Sequence, residues 1–258
     1  MKISILITNY NKFKFLKKTL KYATEQNYKN YEIILFDDNS TDKSINLIKK
    51  YKKIKLLRNK DKKLPYAPML NQINAISKAF KVSKGKLICL MDADDFFFKN
   101  KIMHINNFFI KNKNKNFVVN EPKCINTTFK YKYKNKYKHI WPTIFPTSCI
   151  SCKRNFFKKF LKFSMPKKFK NLAIDARLNI FASYYYNDFN IIKKKLNTYT
   201  FDAEGNWSSY NHLSIKWWIS RNEAFEYLKY ILMLRRIKFK ESFDYYLTKT
   251  IYFFVSKI

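Results

Sequence analysis

Six of the chain's 18 acidic residues fall within ten positions. Asp37-Asp38-Asn39-Ser40-Thr41-Asp42 follows an apolar run at 31–36, and Asp92-Ala93-Asp94-Asp95 follows another at 87–91. Each cluster begins where a buried strand would end. Crowded carboxylates repel one another, and a cation or a hydrogen-bonding ligand relieves that repulsion. In an open α/β sheet, ligands bind beyond the carboxyl ends of the strands. The pattern therefore points to a site for a metal and a polyhydroxylated, phosphorylated ligand. Asp, Asn and Ser are also ordinary turn and cap residues, and Ser40, Thr41 or Asp42 could simply cap the helix that follows. Two clusters at the ends of two strands favour the ligand site.

The elements that must position these acids are legible from periodicity. Residues 2–8, 31–36, 54–57 and 87–91 are short apolar runs of strand length. Between them, Phe13, Leu16, Leu20 and Ala23, then Ile45, Ile48 and Tyr51, then Leu70, Ile73, Ile76 and Phe80 recur at helical spacing. Ile102, Ile105 and Phe109 continue the alternation. This predicts an α/β fold with a mostly parallel sheet and helices on both faces. Beyond residue 115 the texture changes. Strands are expected at 117–119, 147–152 and 191–196, helices at 156–161 and 174–185, and exposed or hairpin strands where Tyr131, Tyr133 and Tyr137 alternate with lysines. From 213 the pattern is helical, basic and aromatic. The expected organisation is a ligand-binding lobe at 1–115, a second lobe at 116–210 and a helical tail at 211–258. No linker rich in Pro, Gly or Ser separates them.

A length of 258 residues with 47% hydrophobic content supports a sizeable core. The formal charge of +35 suggests nucleic acid at first sight, yet only six of the 53 basic residues are Arg. Base readers and bidentate phosphate clamps favour Arg, so no nucleic-acid partner is expected and the lysines are read as solvated surface. Their field would still attract anionic sugar nucleotides and anionic lipid surfaces. The N-terminus lacks a small-residue cleavage site and no apolar run reaches 18 residues, so neither a secretory signal nor a spanning helix is expected. Cys149 and Cys152 have zinc or redox spacing without a second such pair. An apolar strand of reduced thiols is the simpler context. Two glycines could build neither a Walker A loop nor GxGxxG.

Four stretches, in order, resemble the motifs of GT-A fold glycosyltransferases of family 2. They are Ile5-Leu6-Ile7-Thr8-Asn9-Tyr10-Asn11, Tyr31-Glu32-Ile33-Ile34-Leu35-Phe36 with the first acidic cluster, Gly85-Lys86-Leu87-Ile88, and Asp92-Ala93-Asp94-Asp95. The similarity is closest over 1–110, continues through 147–153 and Ala173-Ile174-Asp175-Ala176-Arg177, and does not cover the tail. It implies a Rossmann-like, mostly parallel sheet with a merged acceptor lobe, and inverting transfer from a nucleotide-sugar donor. Thr8, Asp37 and Asp38 match positions that contact base and ribose. Asn9, Tyr10, Lys12 and Asn74 belong to the same implied nucleotide-sugar pocket. Asp92 and Asp94 match the DxD motif, which holds ribose and a divalent metal, Mn or Mg, on the diphosphate, and the adjacent Asp95 could share that work. Asp175 matches the catalytic base. Where the family commonly has Glu, Gly and Arg, this chain has Ile174, Asn39 and Ile73. Lys12, Arg58 or Lys63 could then serve the phosphates.

The resemblance implies a cytoplasmic enzyme, peripheral at the inner face of the membrane. Its acceptor would be a glycan or a lipid-linked oligosaccharide of a bacterial surface polysaccharide or lipopolysaccharide. Asp175 could alternatively be a helix-start carboxylate favoured by the macrodipole. Asp202, Glu204 and His212 are further candidates for the metal, and Trp141, Trp207, Trp217 and Trp218 for sugar stacking. The tail reads either as an interfacial helix on anionic lipid or as a cap on the second lobe. A sugar nucleotidyltransferase and a basic surface- or nucleic-acid-binding protein are the alternative functions. A phosphate binder would not line its cleft with carboxylates unless a metal intervened.

Overall fold

The computed structural model describes residues 1–59, 67–125, 141–200 and 212–256. Seven strands form one sheet: β1 (Ile3–Asn9), β2 (Tyr31–Asp37), β3 (Ile54–Arg58), β4 (Leu87–Asp92), β5 (Phe117–Ile125), β6 (Ile150–Lys153) and β7 (Ile191–Thr200). Their order is β3-β2-β1-β4-β6-β5-β7. β6 runs antiparallel to both β4 and β5, and the other pairings are parallel.

Successive side chains of a strand point to opposite faces, and here both faces are covered. Leu6, Ile34, Phe36, Ile88 and Leu90 enter one core, shared with α3 (Pro68–Val82), α5 (Arg154–Phe163), α6 (Ile174–Ile180) and α7 (Ile215–Leu234). Ile5, Ile7, Ile33, Leu35, Cys89 and Met91 enter the other, with α1 (Phe13–Thr24), α2 (Ser44–Ile48) and α4 (Lys101–Lys111). The first core runs through all three expected segments, since Tyr227, Leu228 and Ile231 of α7 join Leu6 and Val119. A last helix, α8 (Phe243–Val255), follows α7.

Several predicted elements change shape. The second helix does not open at Ser40 or Thr41 and is only the five residues Ser44–Ile48. Ser40 and Thr41 are engaged elsewhere, Ser40 Oγ donating to Asp37 at 2.6 Å and the Thr41 amide to Asn11 Oδ1 at 2.8 Å, while Asp42 accepts the amides of Phe13 and of Ser44, the first helical residue, at 2.9 Å. The strand expected at 147–152 is divided into a 3₁₀ turn, Thr147–Cys149, and β6. The helix expected through 185 widens into a π turn at Phe181–Tyr185, whose two end rings stack at 4.7 Å. Tyr131, Tyr133 and Tyr137 lie outside the described residues. Cys149 and Cys152 are buried free thiols, and burial pushes Cys149 up to about 12, which opposes thiolate chemistry.

β4 begins at a close crossing. The Gly85 amide donates to Ser4 Oγ at 2.8 Å. A Cβ at residue 85 would sit 2.5 Å from both the backbone nitrogen and Oγ of Ser4. Gly85→Ala should therefore lower stability by about 1–3 kcal/mol, the usual range for overpacking. Urea unfolding of the variant checks this; an unchanged midpoint would show that β1 and β4 can separate freely there.

Candidate active site

The pairing register sets both acidic clusters around the end of β1. Asn9 lies beside Asp37 of β2, and Thr8 beside Asp92 of β4. β2 and β3 lie on one side of β1 and β4 on the other, so the β1/β4 gap is the point where strand order reverses. Such switch points open a crevice at the carboxyl ends of parallel strands.

The first cluster is a built frame. Asp37 is fully buried, and its carboxylate accepts from Asn9 Nδ2 at 2.7 Å, the Ser40 amide at 2.9 Å and Ser40 Oγ at 2.6 Å. Asn39 and Asn11 take φ of 60° and 49°, the left-handed region that Asn tolerates best after Gly. Asn39 therefore keeps the turn without glycine, and Asn11 Oδ1 accepts the Thr41 amide at 2.8 Å. Asp38 accepts from Asn59 Nδ2 at 2.7 Å, and Lys78 donates to Asn59 Oδ1 at 3.1 Å. Thr8 is half-buried and Tyr10 exposed, which leaves both at the rim.

The second cluster holds carboxylates with different surroundings. Asp92 accepts from Gln72 Nε2 of α3 at 2.8 Å. Its own burial, then the neighbouring charges of Asp94, Asp95 and Asp175, hold its carboxyl well above the usual range. Asp94 pairs at 3.0 Å with Lys12 Nζ, whose chain neighbour Phe13 donates its amide to Asp42 of the first cluster. Asp95 is 2% exposed and accepts the Thr200 amide at 2.8 Å. Burial and then Asp94 push it up to about 8, opposed by a hydrogen bond from Ser148. Of the three sequence candidates for metal, Asp95 is thus committed to the joint with β7. Asp92 and Asp94 remain at the crevice.

Asp175 stands in the first turn of α6. Its Oδ1 accepts the Ala176 amide at 2.6 Å, and burial raises it to about 6. Its charge contributes to raising Asp92, which places the second-half carboxylate near the acidic end of β4. Arg177 anchors the chain before α6. Its buried guanidinium donates to the carbonyls of Leu172, Ser164 and Phe169.

Asn74 is exposed on α3. It lies about 200° around the helix from Gln72, so it does not share Gln72's approach to Asp92. Trp141 packs on Phe225 at 4.5 Å, and Trp217 lies between Trp218 and His212. Lys63, Asp202, Glu204 and Trp207 lie outside the described residues.

Sequence reasoning missed Gln72, Ser148, Tyr199 and Lys101. Burial and the charges of Asp175, Asp95, Asp92 and Asp94 all raise the Tyr199 hydroxyl, which puts it among the four acids. Lys101 is 0% exposed and donates to Asn120 Oδ1 at 2.8 Å, Ser148 O at 2.5 Å and Asn197 Oδ1 at 3.0 Å. All three ammonium protons are matched. Ser148 Oγ in turn accepts the Asp92 amide at 3.0 Å. Among dozens of lysines, no sequence signal distinguishes this one.

The donor set fits a hard divalent ion. Asp92 and Asp94 supply carboxylate oxygens, and their mutual repulsion is what such a charge would relieve. Among the described residues, no group of three or more His, Cys, Asp or Glu could hold an ion alone. The remaining ligands would come from a phosphorylated donor and water, the usual arrangement for Mg-type sites.

A family model described as glycosyl transferase family 2 matches residues 4–184. The chain is 35% identical over 100 residues to the UDP-Glc:alpha-D-GlcNAc-diphosphoundecaprenol beta-1,3-glucosyltransferase WfaP of Escherichia coli, covering 39% of this chain and 38% of that protein. The chain spans well under half the length of curated relatives it matches, the matched share being 16%, 18% and 38% in three of them. The structure of Staphylococcus aureus TarS 1-349 with UDP-GlcNAc has a TM-score of 0.64 at 15% identity, covering 98% of this chain and 70% of that one. The mannosyltransferase PcManGT of Pyrobaculum calidifontis with GDP-Man and Mn2+ has a TM-score of 0.64 at 12% identity, covering 98% and 69%. At these identities the likeness establishes the GT-A fold.

Lys101→Met keeps the bulk of the side chain and removes the donor. It leaves Asn120 Oδ1 and the Ser148 carbonyl unmatched, each worth about 1–3 kcal/mol, while Asn197 Oδ1 still accepts from Asn120 Nδ2 at 2.7 Å. The variant should unfold at markedly lower denaturant than the parent. A variant of parental stability would mean that water or rearranged amides replace the ammonium.

Proposed function

The chain belongs to glycosyl transferase family 2, and we propose that it moves a sugar from a nucleoside-diphosphate donor to a hydroxyl of a glycan or lipid-linked acceptor, with inversion at the sugar carbon. The observation that carries this reading is the gathering of Asp92, Asp94 and Asp175 beside the β1/β4 switch point, close enough that the charges of the other two raise Asp92. Similar proteins lend support. They include complexes with UDP-GlcNAc and with GDP-Man and Mn2+, and a transferase acting on a diphosphoundecaprenol acceptor.

In this proposal the segment 1–115 binds the donor and 116–210 faces the acceptor. The base and ribose rest against Thr8, Asn9, Tyr10 and Asp38, with Asp37 holding the turn rigid and Asn74 at the outer edge. Lys12 turns between Asp94 and the diphosphate. Asp92 and Asp94 would hold Mn or Mg, which would supply positive charge to offset that of the leaving diphosphate. Asp175 takes the proton from the acceptor hydroxyl, a poor nucleophile without a base. The sugar carbon passes through an oxocarbenium-like state, and inversion requires Asp175 opposite the leaving group. A carboxyl near 6 is ionised at neutral pH yet basic enough to accept a proton. The setting we propose is the cytoplasmic face of a bacterial membrane, in surface polysaccharide or lipopolysaccharide synthesis. Among the described residues no helix is long and apolar enough to cross a membrane.

Two variants separate donor binding from chemistry. Asp94→Asn should abolish manganese-dependent affinity for UDP- or GDP-sugars in calorimetry while leaving the fold intact; normal binding would remove Asp94 from the metal site. Asp175→Asn should keep donor affinity but lower transfer by roughly 10²–10⁴-fold. Near-parental transfer would strike Asp175 from the mechanism.

The pH profile gives an independent check. The base works only when deprotonated, so parental transfer should rise with pH and level off above the Asp175 value of about 6. The residual activity of Asp175→Asn should lack that limb. A parental rate flat from pH 5 to 7 would contradict the assignment.

A further inference from the structure

α8 is attached to the body by its polar side. Asp244 pairs with Arg221 of α7, Thr248 Oγ1 accepts from Arg221 Nε at 3.2 Å, and Lys249 pairs with Glu226 at 2.7 Å. Tyr245 alone adds a large buried ring, against Phe225 and Phe239. The opposite side of the helix is apolar and open. Phe243, Tyr246, Leu247, Phe253 and Phe254 are 41–82% exposed. Their spacing of i, i+3, i+4, i+10 and i+11 is one helical stripe, about 16 Å long at 1.5 Å per residue. A soluble helix turns its apolar stripe inward; this one turns it out.

The chain leading into α8 is basic. Arg235, Arg236, Lys238 and Lys240 are exposed between α7 and α8, with Ile237 exposed among them. An open aromatic stripe beside a cluster of cations suits a surface that is apolar below and anionic on top. A second copy of the chain fits less well, because each would bring the same basic segment and a formal charge of +35. We infer that the outward face of α8, with the basic segment before it, is a docking surface for an anionic lipid bilayer, entered by the rings and not spanned. The inference deepens the proposed function by placing the crevice near a lipid-linked acceptor, and rests on it only for that purpose.

The test uses the full chain and vesicles of phosphatidylcholine with or without phosphatidylglycerol. The parent should sediment with the anionic vesicles, sediment poorly with the neutral ones, and be released by salt. A Phe243→Ser, Phe253→Ser, Phe254→Ser variant changes three rings that are 56–82% exposed and should lose at least ~10-fold in affinity, since each buried ring is worth roughly 1.5–3 kcal/mol, ~10–150-fold, when fully inserted. An Arg235→Gln, Arg236→Gln, Lys238→Gln variant should lose about fivefold per charge, the equivalent of roughly 1 kcal/mol each near such a surface. Parental binding by the serine variant overturns the inference, as does equal parental binding to both kinds of vesicle. Lipid-free self-association of the parent that the serine substitutions abolish also overturns it, because the stripe is then a contact between chains. Donor affinity, measured on the same proteins, should not change. If no protein binds a nucleotide sugar while the parent still sediments with anionic vesicles, the transfer reading fails and the docking surface stands.

Discussion

Four carboxylates converge at the carboxyl end of β4, where burial resists ionisation of Asp92, Asp95 and Asp175, and neighbouring charge adds to it at Asp92 and Asp95. The surrounding structure gives each a different partner. Gln72 reaches Asp92, Lys12 pairs with Asp94, and the Thr200 amide and Ser148 hydroxyl hold Asp95. Asp175 is held by backbone amides of its own helix turn, that of Ala176 at 2.6 Å and its own. Environments that push like groups apart in pKa assign them different tasks. Asp95, near 8, is mostly neutral at pH 7 and suits a structural bond. Asp175, near 6, is mostly ionised there and suits a base.

This cluster also explains how the two halves of the chain are joined. β5 and β7 extend the sheet beyond β6, and each sends an asparagine, Asn120 and Asn197, to the Lys101 ammonium. The same ammonium binds the carbonyl of Ser148, whose hydroxyl accepts the Asp92 amide. One buried cation thus connects α4, β5, β7 and the 3₁₀ turn to the acidic end of β4. A buried lysine is tolerated because every proton is matched, although burial still lowers it to about 8. The placement of the acids depends on this joint as much as on β4 itself.

The strands and the acidic clusters were legible because their signals are local. An apolar run of strand length followed by Asp-rich turn residues needs no tertiary information. The parallel pairing followed from alternation with helices. Three things were not legible. The start of α2 depended on where Ser40 would bind, and its partners are Asp37 at the end of β2 and the Asn11 amide before α1; Asp42, which meets the first amide of α2, also holds that of Phe13. Gln72 and Asn74 are chemically alike and two positions apart, so only the rotation of α3 separates them. Lys101 is hidden by composition, since one functional lysine carries no mark among so many solvated ones. The tail showed its aromatic and basic content in the sequence. Its orientation followed only from Arg221 and Glu226, which face Asp244 and Lys249 from another helix.

An acidic crevice in so basic a chain has a consequence for the proposed chemistry. At long range the field of +35 draws an anionic donor toward the protein. At the rim the sign reverses, because the diphosphate meets Asp92 and Asp94. Lys12 neutralises part of that charge but is already 3.0 Å from Asp94. A donor alone would therefore meet repulsion, and a divalent ion alone would find too few protein ligands. Each completes what the other needs, so on the proposed reading ion and donor bind with positive coupling. Linkage makes that coupling reciprocal: the ion raises donor affinity by the same factor as the donor raises ion affinity. The carboxylates that cost the fold its repulsion in the empty crevice are then what makes the crevice selective for a donor and its ion together.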